Sequence, residues 1–222
     1  MTTARPILFS APMVRALLEG RKTQTRRILK DVPEAPGIDE VVHANPKHTA
    51  PYLDAYCGGR RTPENPRGMT QWWCWWTRDD RPCEQFKIPY GAPGDLLWVR
   101  ESWHLVHVGG GRGGGIDPFN SYDEIYLADG HSKHFTFEGD DDPFLRFASD
   151  RPRPSMFMPR WASRLTLEIT DVRVERLQDI SETDAIAEGC GDYARSFPKD
   201  DPIHETQSRL MWPERAYRVL WE

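Results

Sequence analysis

Prolines and glycines occur throughout this chain and divide it into short segments. The 222 residues include 19 prolines and 17 glycines, and 38% of the residues are hydrophobic. Because proline interrupts helix and sheet hydrogen bonding and glycine favours turns, long regular elements are excluded over most of the sequence. The pattern therefore predicts short strands and helices joined by many loops, and it excludes a compact helical bundle. This length accommodates one large domain, or a small one with long insertions.

The composition also narrows the class of protein. No stretch approaches the roughly 20 consecutive apolar residues of a membrane span, and the N-terminus lacks the pattern of a secretory signal. The sequence therefore predicts a cytoplasmic protein with no membrane partner. A chain of this size does not need disulfides, and its cysteines lack a C-x-x-C spacing. Free thiols are expected at Cys57, Cys74, Cys83 and Cys190.

Charge is distributed unevenly along the chain. The formal net charge is -5, which argues against a protein that wraps nucleic acid along its whole surface. Between residues 12 and 30, however, six basic residues stand against Glu19 alone, whereas residues 117–150 carry nine acidic residues and two basic ones. The basic segment predicts a local surface that attracts anions.

A few segments carry clear periodicity or capping signals, and each predicts a short element. The predicted strands are 5–9, 96–103 and 162–177, and the predicted helices run from Ser10 to Gly20, from Ser181 to Gly189 and onward from Pro213. Between the first helix and Ile28, the threonines of residues 21–27 favour an extended loop that enters a strand.

Two long segments show no sustained period and are interpreted as insertions. Residues 31–93 contain prolines and glycines throughout, with four tryptophans between positions 72 and 76. The tryptophans either pack this insertion together or cap a pocket. Residues 104–155 are glycine-rich in one part and acidic in another, which favours surface loop. The sequence thus predicts a single domain over residues 1–222 with two insertions.

The basic segment from Gly20 to Arg27 follows a helix stop and places cations beside two threonines. Such a segment can hold an anionic or carbonyl-bearing ligand. A lysine that is partly desolvated beside other cations loses its proton more readily, and it can then activate a neighbouring hydroxyl. A solvated basic turn is the alternative interpretation.

The same segment carries a resemblance to a known family. Gly20, Lys22, Thr25 and Arg27 resemble the G-x-K-x-x-E-x-R motif of the ASCH superfamily, with Thr25 where many members have glutamate. ASCH domains are small β-barrel proteins related to PUA RNA-binding domains. The form G-R-K-T-x-T-x-R is similar to that of small bacterial ASCH amidohydrolases, which deacetylate N4-acetylcytidine.

The resemblance extends beyond this motif. Three blocks, residues 7–27, 90–103 and 158–188, are similar in order to an ASCH subfamily frequent in phages and prophages. The resemblance implies an α+β fold, namely a PUA-like and mostly antiparallel β-barrel with short helices. The two insertions depart from the small amidohydrolases, and insertions at the rim of a site commonly change which substrate fits.

The amidohydrolase resemblance implies a catalytic set of lysine, threonine and glutamate. The motif itself places the first two at Lys22 and Thr25, and aligning the pattern L-x-x-[LI]-[ST]-E on residues 177–182 places the glutamate at Glu188. In the implied mechanism the lysine is the base, the threonine hydroxyl attacks the acetyl carbonyl, and the glutamate carries a proton to the leaving amine. Glu188 is otherwise a polar residue in the last turn of a helix.

Six further residues are candidate substrate-binding residues, namely Arg21, Arg27, Arg100, Glu101, Trp98 and Trp161. Glu101 can accept a hydrogen bond from a base amine, and the equal alternative is an ion pair at the rim of the barrel. The two tryptophans can stack on a base, although aromatic residues on strands belong more often to the core.

No metal or other cofactor is predicted. The pairs His104/His107 and His131/His134 have no cysteine or acidic residue at a diagnostic metal-binding spacing. The glycine-rich residues 109–115 lack the Lys-Ser/Thr of a phosphate-binding loop.

The predicted partner is a modified nucleoside or a nucleic acid, with RNA favoured over DNA. Hydrolysis of an N4-acylated cytidine is the expected activity. Two alternatives stay open, an RNA- or DNA-binding module without catalysis and an ASCH ribonuclease. The binding module would use the cations of the basic segment, together with Arg160 and Arg164, to contact phosphates.

Overall fold

Short strands dominate the computed structural model, which describes residues 3–37, 46–108, 119–138, 142–176 and 179–189. Within these ranges nine strands form three sheets of three strands each, accompanied by few and short helices. This arrangement confirms the β-rich α+β class. The three sheets do not close into a barrel within the described ranges.

The strands and helices have the following bounds. The strands are β1 (Ala4–Leu8), β2 (Tyr52–Ala55), β3 (Trp72–Trp76), β4 (Pro82–Lys87), β5 (Leu96–Arg100), β6 (Trp103–His107), β7 (Phe119–Tyr126), β8 (Ser132–Glu138) and β9 (Thr166–Glu168). The α-helices are α1 (Ala11–Leu18) and α2 (Glu182–Ala187), and short 3₁₀ helices span Leu145–Phe147, Ser155–Phe157 and Arg160–Ala162. The sheet orders are β1-β5-β9, β2-β3-β4 and β6-β7-β8, and the last two are antiparallel.

The chain divides into two compact units, each assembled from separate segments. The first unit takes Met1–Arg5, Arg26–Leu97 and Thr166–Ile180. The second unit takes the described residues of Pro6–Thr25, Trp98–Leu165 and 181–189.

The first unit contains the tryptophan-rich segment as a folded sheet. Trp73 on β3 is buried in a cluster with Ala55, Met69 and Ile88. The antiparallel sheet β2-β3-β4 therefore gives regular structure to residues interpreted as an insertion without a period. The run WWCWW concealed this strand because large aromatic side chains occupy both of its faces, so no alternation of polar and apolar residues is visible. Trp73 packs the segment together, as one of the two interpretations had it.

The second unit contains the sheet β6-β7-β8, which occupies much of the segment predicted to be surface loop. That prediction is wrong for β6, β7 and β8. Its core consists of Trp103, Leu105, Tyr122, Tyr126, Met158 and Ala162. The sequence concealed β7 because Glu124 occupies a buried position on the face that carries the two tyrosines, where alternation would require an apolar residue. The glycine-rich residues 109–115 lie outside the described residues.

Both described helices follow their predicted signals. Helix α1 begins after Ser10, and the chain leaves it through Gly20 at φ +71°. The Ser10 side chain makes no capping hydrogen bond to that helix in the described structure. Helix α2 begins at the predicted cap, where the Ser181 hydroxyl accepts a hydrogen bond from the Asp184 amide. The helix predicted from Pro213 lies outside the described residues.

Three predicted strand boundaries are wrong. No strand forms at Ile28, whose side chain is exposed. Strand β5 ends at Arg100, because the next residue turns inward and Glu101 donates its amide hydrogen to the Met158 sulfur. Within the described part of the strand predicted over 162–177, regular strand structure is confined to β9, because alternation reports which side chains turn away from solvent and does not require a continuous neighbouring strand.

The structure also describes three of the four cysteines. Cys57, Cys74 and Cys83 are free thiols, as expected, and Cys190 lies outside the described residues. No helix in the described part of the chain is long and apolar enough to cross a membrane.

Candidate functional site

Lys22 and Glu188 form a buried ion pair in the second unit. Lys22 Nζ lies 2.6 Å from Glu188 Oε2, and the two side chains are 1% and 3% exposed. The two residues are 166 positions apart in the sequence. The structure thus brings together the lysine and the glutamate of the predicted catalytic set.

The backbone around this pair explains why the two residues meet. After α1 ends, the Lys22 amide donates to the Ala16 carbonyl, so the chain folds back along the helix. The next two amides, of Thr23 and Gln24, both donate to the Ala187 carbonyl at 2.8 and 3.0 Å. Because the last carbonyls of a helix lack partners within the helix, this loop satisfies acceptors at the end of α2.

The surroundings of Lys22 suit a charged ammonium. Nζ donates to the Gln24 carbonyl at 2.7 Å, to the Glu188 carbonyl at 2.9 Å and to Glu188 Oε2 at 2.6 Å. An ammonium has three N–H donors, so these three acceptors use all of them. The C-terminal end of α2 adds partial negative charge, and the Phe9 ring lies 5.7 Å from Nζ. Lys22 can therefore act as a base only after it passes a proton to a neighbour, and Glu188 Oε2 is within hydrogen-bonding distance for that transfer.

Thr25 follows directly on the loop that surrounds Lys22. Its Oγ1 atom is shielded from solvent and has no hydrogen-bond partner among the residues that the structure describes. A buried hydroxyl without a partner costs free energy, so such a group is a candidate for contact with a ligand. The loop places this threonine one residue after Gln24, whose carbonyl accepts from Lys22.

Arg21 and Arg27, the two arginines of the basic segment that are candidate substrate-binding residues, have local partners. Arg21 is partly exposed and forms an ion pair with Glu19, with 2.5 Å between Nη2 and Oε2. Arg27 lies in the first unit and donates to the Arg26 carbonyl at 3.0 Å.

Glu101 forms a buried ion pair with Arg164. An ion pair was one of the two interpretations of this residue, and the sequence did not name its partner. Both carboxylate oxygens accept from this guanidinium, at 2.8 and 2.9 Å. The same guanidinium donates to Asp129 at 2.9 and 3.0 Å. Burial opposes the charge of Arg164, yet hydrogen bonds to the two carboxylates raise its pKa. The bond from Arg164 likewise lowers the pKa of Asp129.

Arg100 and the two tryptophans lie in different surroundings. Arg100 donates to the carbonyls of Met158 and Met156. Its guanidinium carbon lies 5.4 Å from the centre of the half-buried Trp98 ring, and that of Arg160 lies 5.8 Å from it. Trp161 packs edge-on against other aromatic rings of the core. Trp98 thus presents a ring flanked by cations, whereas Trp161 is 40% exposed and packs the edge of its ring against the aromatic cluster.

The structure gives two of the predicted histidines hydrogen-bond partners. His104 is hydrogen-bonded to the Ser149 carbonyl, and His134 to the Asp123 carboxylate. Among the described residues, no group of three or more histidine, cysteine, aspartate or glutamate residues is arranged to hold a metal ion.

Sequence reasoning missed one titratable residue in the second unit. Glu124 on β7 is 2% exposed, and burial is the main cause that raises its pKa to about 7. Buried groups with strongly shifted pKa values are candidates for functional roles. The sequence does carry a signal for this residue. Glu124 stands midway between Tyr122 and Tyr126, so in a strand it shares their face, and an acidic residue is unusual on such a face.

Gly189, just after α2, lies close to Ala16 of α1. Its replacement by alanine is therefore expected to lower the free energy of unfolding by about 1–2 kcal/mol. Its φ is +91°, and a Cβ built on it would lie 3.2 Å from Cβ of Ala16 and 3.5 Å from Cβ of Lys22. Urea unfolding at neutral pH measures the change.

Gly20→Ala is the matched control for this substitution. Gly20 also has a positive φ, of +71°, but a Cβ there would meet nothing within 4 Å. We therefore expect a smaller loss from Gly20→Ala, caused by backbone strain alone. Equal losses in the two variants would show that the close approach to Ala16 has no energetic weight.

No protein-family model, no curated protein and no solved structure matches this chain. The candidate site is therefore defined by its own residues, the buried pair of Lys22 and Glu188 and the shielded hydroxyl of Thr25.

Proposed function

We propose that this chain is an ASCH protein with a PUA-like barrel fold, which recognises a modified nucleobase and hydrolyses the N4-acyl amide of N4-acetylcytidine or a related cytidine. One observation carries the proposal. The resemblance in sequence points to Lys22 and Glu188 separately, and in the structure these two residues share a buried contact of 2.6 Å. The shielded hydroxyl of Thr25, three residues after the lysine, supplies the third group of the implied set.

The proposed reaction begins with transfer of a proton from the Lys22 ammonium to Glu188 Oε2. The Thr25 hydroxyl, which has no hydrogen-bond partner in the described structure, then turns toward the neutral amine and gives it a proton as the hydroxyl oxygen attacks the acetyl carbonyl, and a C–O bond forms. Glu188 gives its proton to the exocyclic nitrogen as the C–N bond breaks, which releases cytidine and leaves an acetyl ester on the threonine.

A water molecule completes the cycle. It attacks the ester and gives one proton to Glu188, while the threonine oxygen recovers a proton from the Lys22 ammonium as the C–O bond to the threonine breaks. Acetic acid leaves and loses its remaining proton to solvent. Transfer of the proton from Glu188 back to Lys22 restores the starting ion pair. Each proton transfer involves a group that already belongs to the pair or to the hydroxyl.

The ribonuclease alternative receives less support from these surroundings. All three donors of Lys22 are directed to oxygen atoms of Gln24 and Glu188. The C-terminal end of α2 is also the negative end of the helix, which disfavours a phosphate. An uncharged amide fits this environment better than a phosphodiester.

A binding module without catalysis is favoured by a different observation. The guanidinium groups of Arg100 and Arg160 flank the half-buried ring of Trp98, with centroid distances of 5.4 and 5.8 Å. An aromatic ring beside cations suits a base and its phosphate, in RNA more than in DNA on the family resemblance.

Incubation of the purified protein with N4-acetylcytidine, followed by chromatography of the cytidine formed, tests the proposed activity. We expect turnover by the parent and a loss of at least about 100-fold in Thr25→Val, which removes the nucleophile at nearly constant volume. Thr25→Ser keeps a hydroxyl and is the matched control, from which we expect partial activity. Glu188→Gln should lose turnover because it cannot accept the lysine proton.

The outcomes separate the candidate functions. No turnover by a folded parent, or full turnover by Thr25→Val, would overturn the amidohydrolase proposal in this form. Affinity for single-stranded RNA that falls steeply with salt, without loss of the nucleoside, would support the binding module.

A further inference from the structure

Glu124 is a carboxyl group inside the core of the second unit. Its side chain lies on the inward face of β7, opposite Leu105 on β6 and Lys133 on β8. The residue is 2% exposed, and its neighbours on the same face are the buried Tyr122 and Tyr126. A carboxylate in such a place is unfavourable unless it is paired or protonated.

The groups that face Glu124 do not neutralise it. The Tyr126 hydroxyl donates a hydrogen bond to it, and the Arg164 guanidinium carbon lies 4.1 Å from the centre of the Tyr126 ring. The charges that act on Glu124 are those of Lys133, Glu101 and Arg164. Lys133 is exposed on β8. Within the described part of the chain, Oε1 of Glu124 is shielded and has no hydrogen-bond partner. Burial is the largest influence and raises the pKa of this carboxyl to about 7.

Arg164 is already occupied by two other carboxylates. Its three nitrogen atoms all donate, to Glu101 and to Asp129. Glu101 is 1% exposed, whereas the Asp129 side chain is 30% exposed and belongs to the turn between β7 and β8. Asp129 loses less on returning to water, so it is the partner that Arg164 would release first.

The turn that carries Asp129 also joins other elements of the second unit. Its Ala128 carbonyl accepts a hydrogen bond of 2.7 Å from Arg15 on α1. The Leu127 amide donates to the Ser102 carbonyl at 3.1 Å, next to the buried Glu101. If Arg164 releases Asp129, the change therefore reaches α1 and the connection between β5 and β6 through these hydrogen bonds.

We propose that Glu124 is a proton-operated latch for the turn between β7 and β8. When the carboxyl is protonated, it stays buried without a partner of opposite charge, and Arg164 holds Asp129. When the carboxyl ionises, it competes for the Arg164 guanidinium, Asp129 is released to solvent, and the turn opens. This device goes beyond the proposed hydrolase and does not depend on it.

Hydrogen exchange measured by mass spectrometry tests the latch in the full chain, between about pH 5.5 and 8.5 after correction for intrinsic exchange. As the pH rises through this range, the protection factors of peptides that cover residues 127–131 should fall about tenfold. Peptides from β3 and β4 of the first unit are the reference. Glu124→Gln imitates the neutral carboxyl and should keep the turn protected at every pH. Asp129→Asn should weaken protection at every pH, because it loses the charged bond to Arg164.

The control is Glu138→Gln, which removes an exposed carboxylate on the neighbouring strand β8. It should leave the pH dependence of the turn unchanged. The carboxyl ¹³C resonance of Glu124 in the unaltered protein gives a second measurement, and its midpoint should coincide with that of the exchange. A turn whose protection does not vary with pH, or a dependence that persists in Glu124→Gln, would overturn the proposal.

Discussion

Replacing Lys22 with methionine is expected to lower the free energy of unfolding by about 3–5 kcal/mol. The substitution keeps much of the side-chain volume but leaves the Glu188 carboxylate, 3% exposed, without the ammonium 2.6 Å away. It also removes donors to the carbonyls of Gln24 and Glu188. Urea unfolding at neutral pH measures this loss, and the proposed hydrolysis should vanish with it.

The double variant Lys22→Met with Glu188→Leu separates the buried charge from the packing. Since it replaces both charges by apolar groups, we expect it to recover most of the lost stability, to within about 1–2 kcal/mol of the parent. Hydrolysis should stay absent in the double variant. A single Lys22→Met variant as stable as the parent would contradict the buried ion pair.

The second large effect concerns pH. Glu124 has a folded pKa of about 7, above its ordinary value of 4.5, because burial disfavours the carboxylate. The stabilisation from its neutral form is therefore fully present below about pH 4.5, and it is lost as pH rises through about 7. The difference amounts to roughly 3 kcal/mol at alkaline pH. The parent should thus become less stable from about pH 5 to 8.5, relative to Glu124→Gln.

Unfolding in urea at a series of pH values measures this difference directly. Above about pH 8, Glu124→Gln should be the more stable protein, since an amide at this position does not ionise. Glu138→Gln, on the exposed side of β8, should follow the parent at every pH. Parallel curves for the parent and Glu124→Gln would show that the buried carboxyl keeps an ordinary affinity for protons.

The elements that the sequence predicted well are those with local signals. Ser181 and Gly189 bound α2 through a side-chain cap and a positive φ, and both signals depend on residues within one turn of the helix. Helix α1 shares only the second of these signals, since it ends before Gly20 at positive φ while the Ser10 side chain makes no cap. Local geometry of this kind is encoded by nearby residues, so it can be predicted without knowledge of the tertiary structure.

The features that the sequence did not predict depend on distant residues. Glu101 pairs with Arg164, which lies 63 positions further along the chain, and their spacing does not predict this contact. Strand β7 was missed because Glu124 faces the core, where a hydrophobic pattern would require an apolar side chain. For the candidate site, spacing alone placed Lys22 in a basic turn. Only the family resemblance linked it with Glu188.

The contact between Lys22 and Glu188 also has a consequence for the order in which the protein is made. During synthesis the lysine emerges before its partner, which follows 166 residues later. The first unit's longest segment, Arg26–Leu97, lies between them in the chain. Until α2 leaves the ribosome, the loop after α1 lacks both the carboxylate and the carbonyls that hold it. The candidate site is therefore assembled late, and a chain that stops short of residue 188 carries the lysine and the threonine without the partner that completes them.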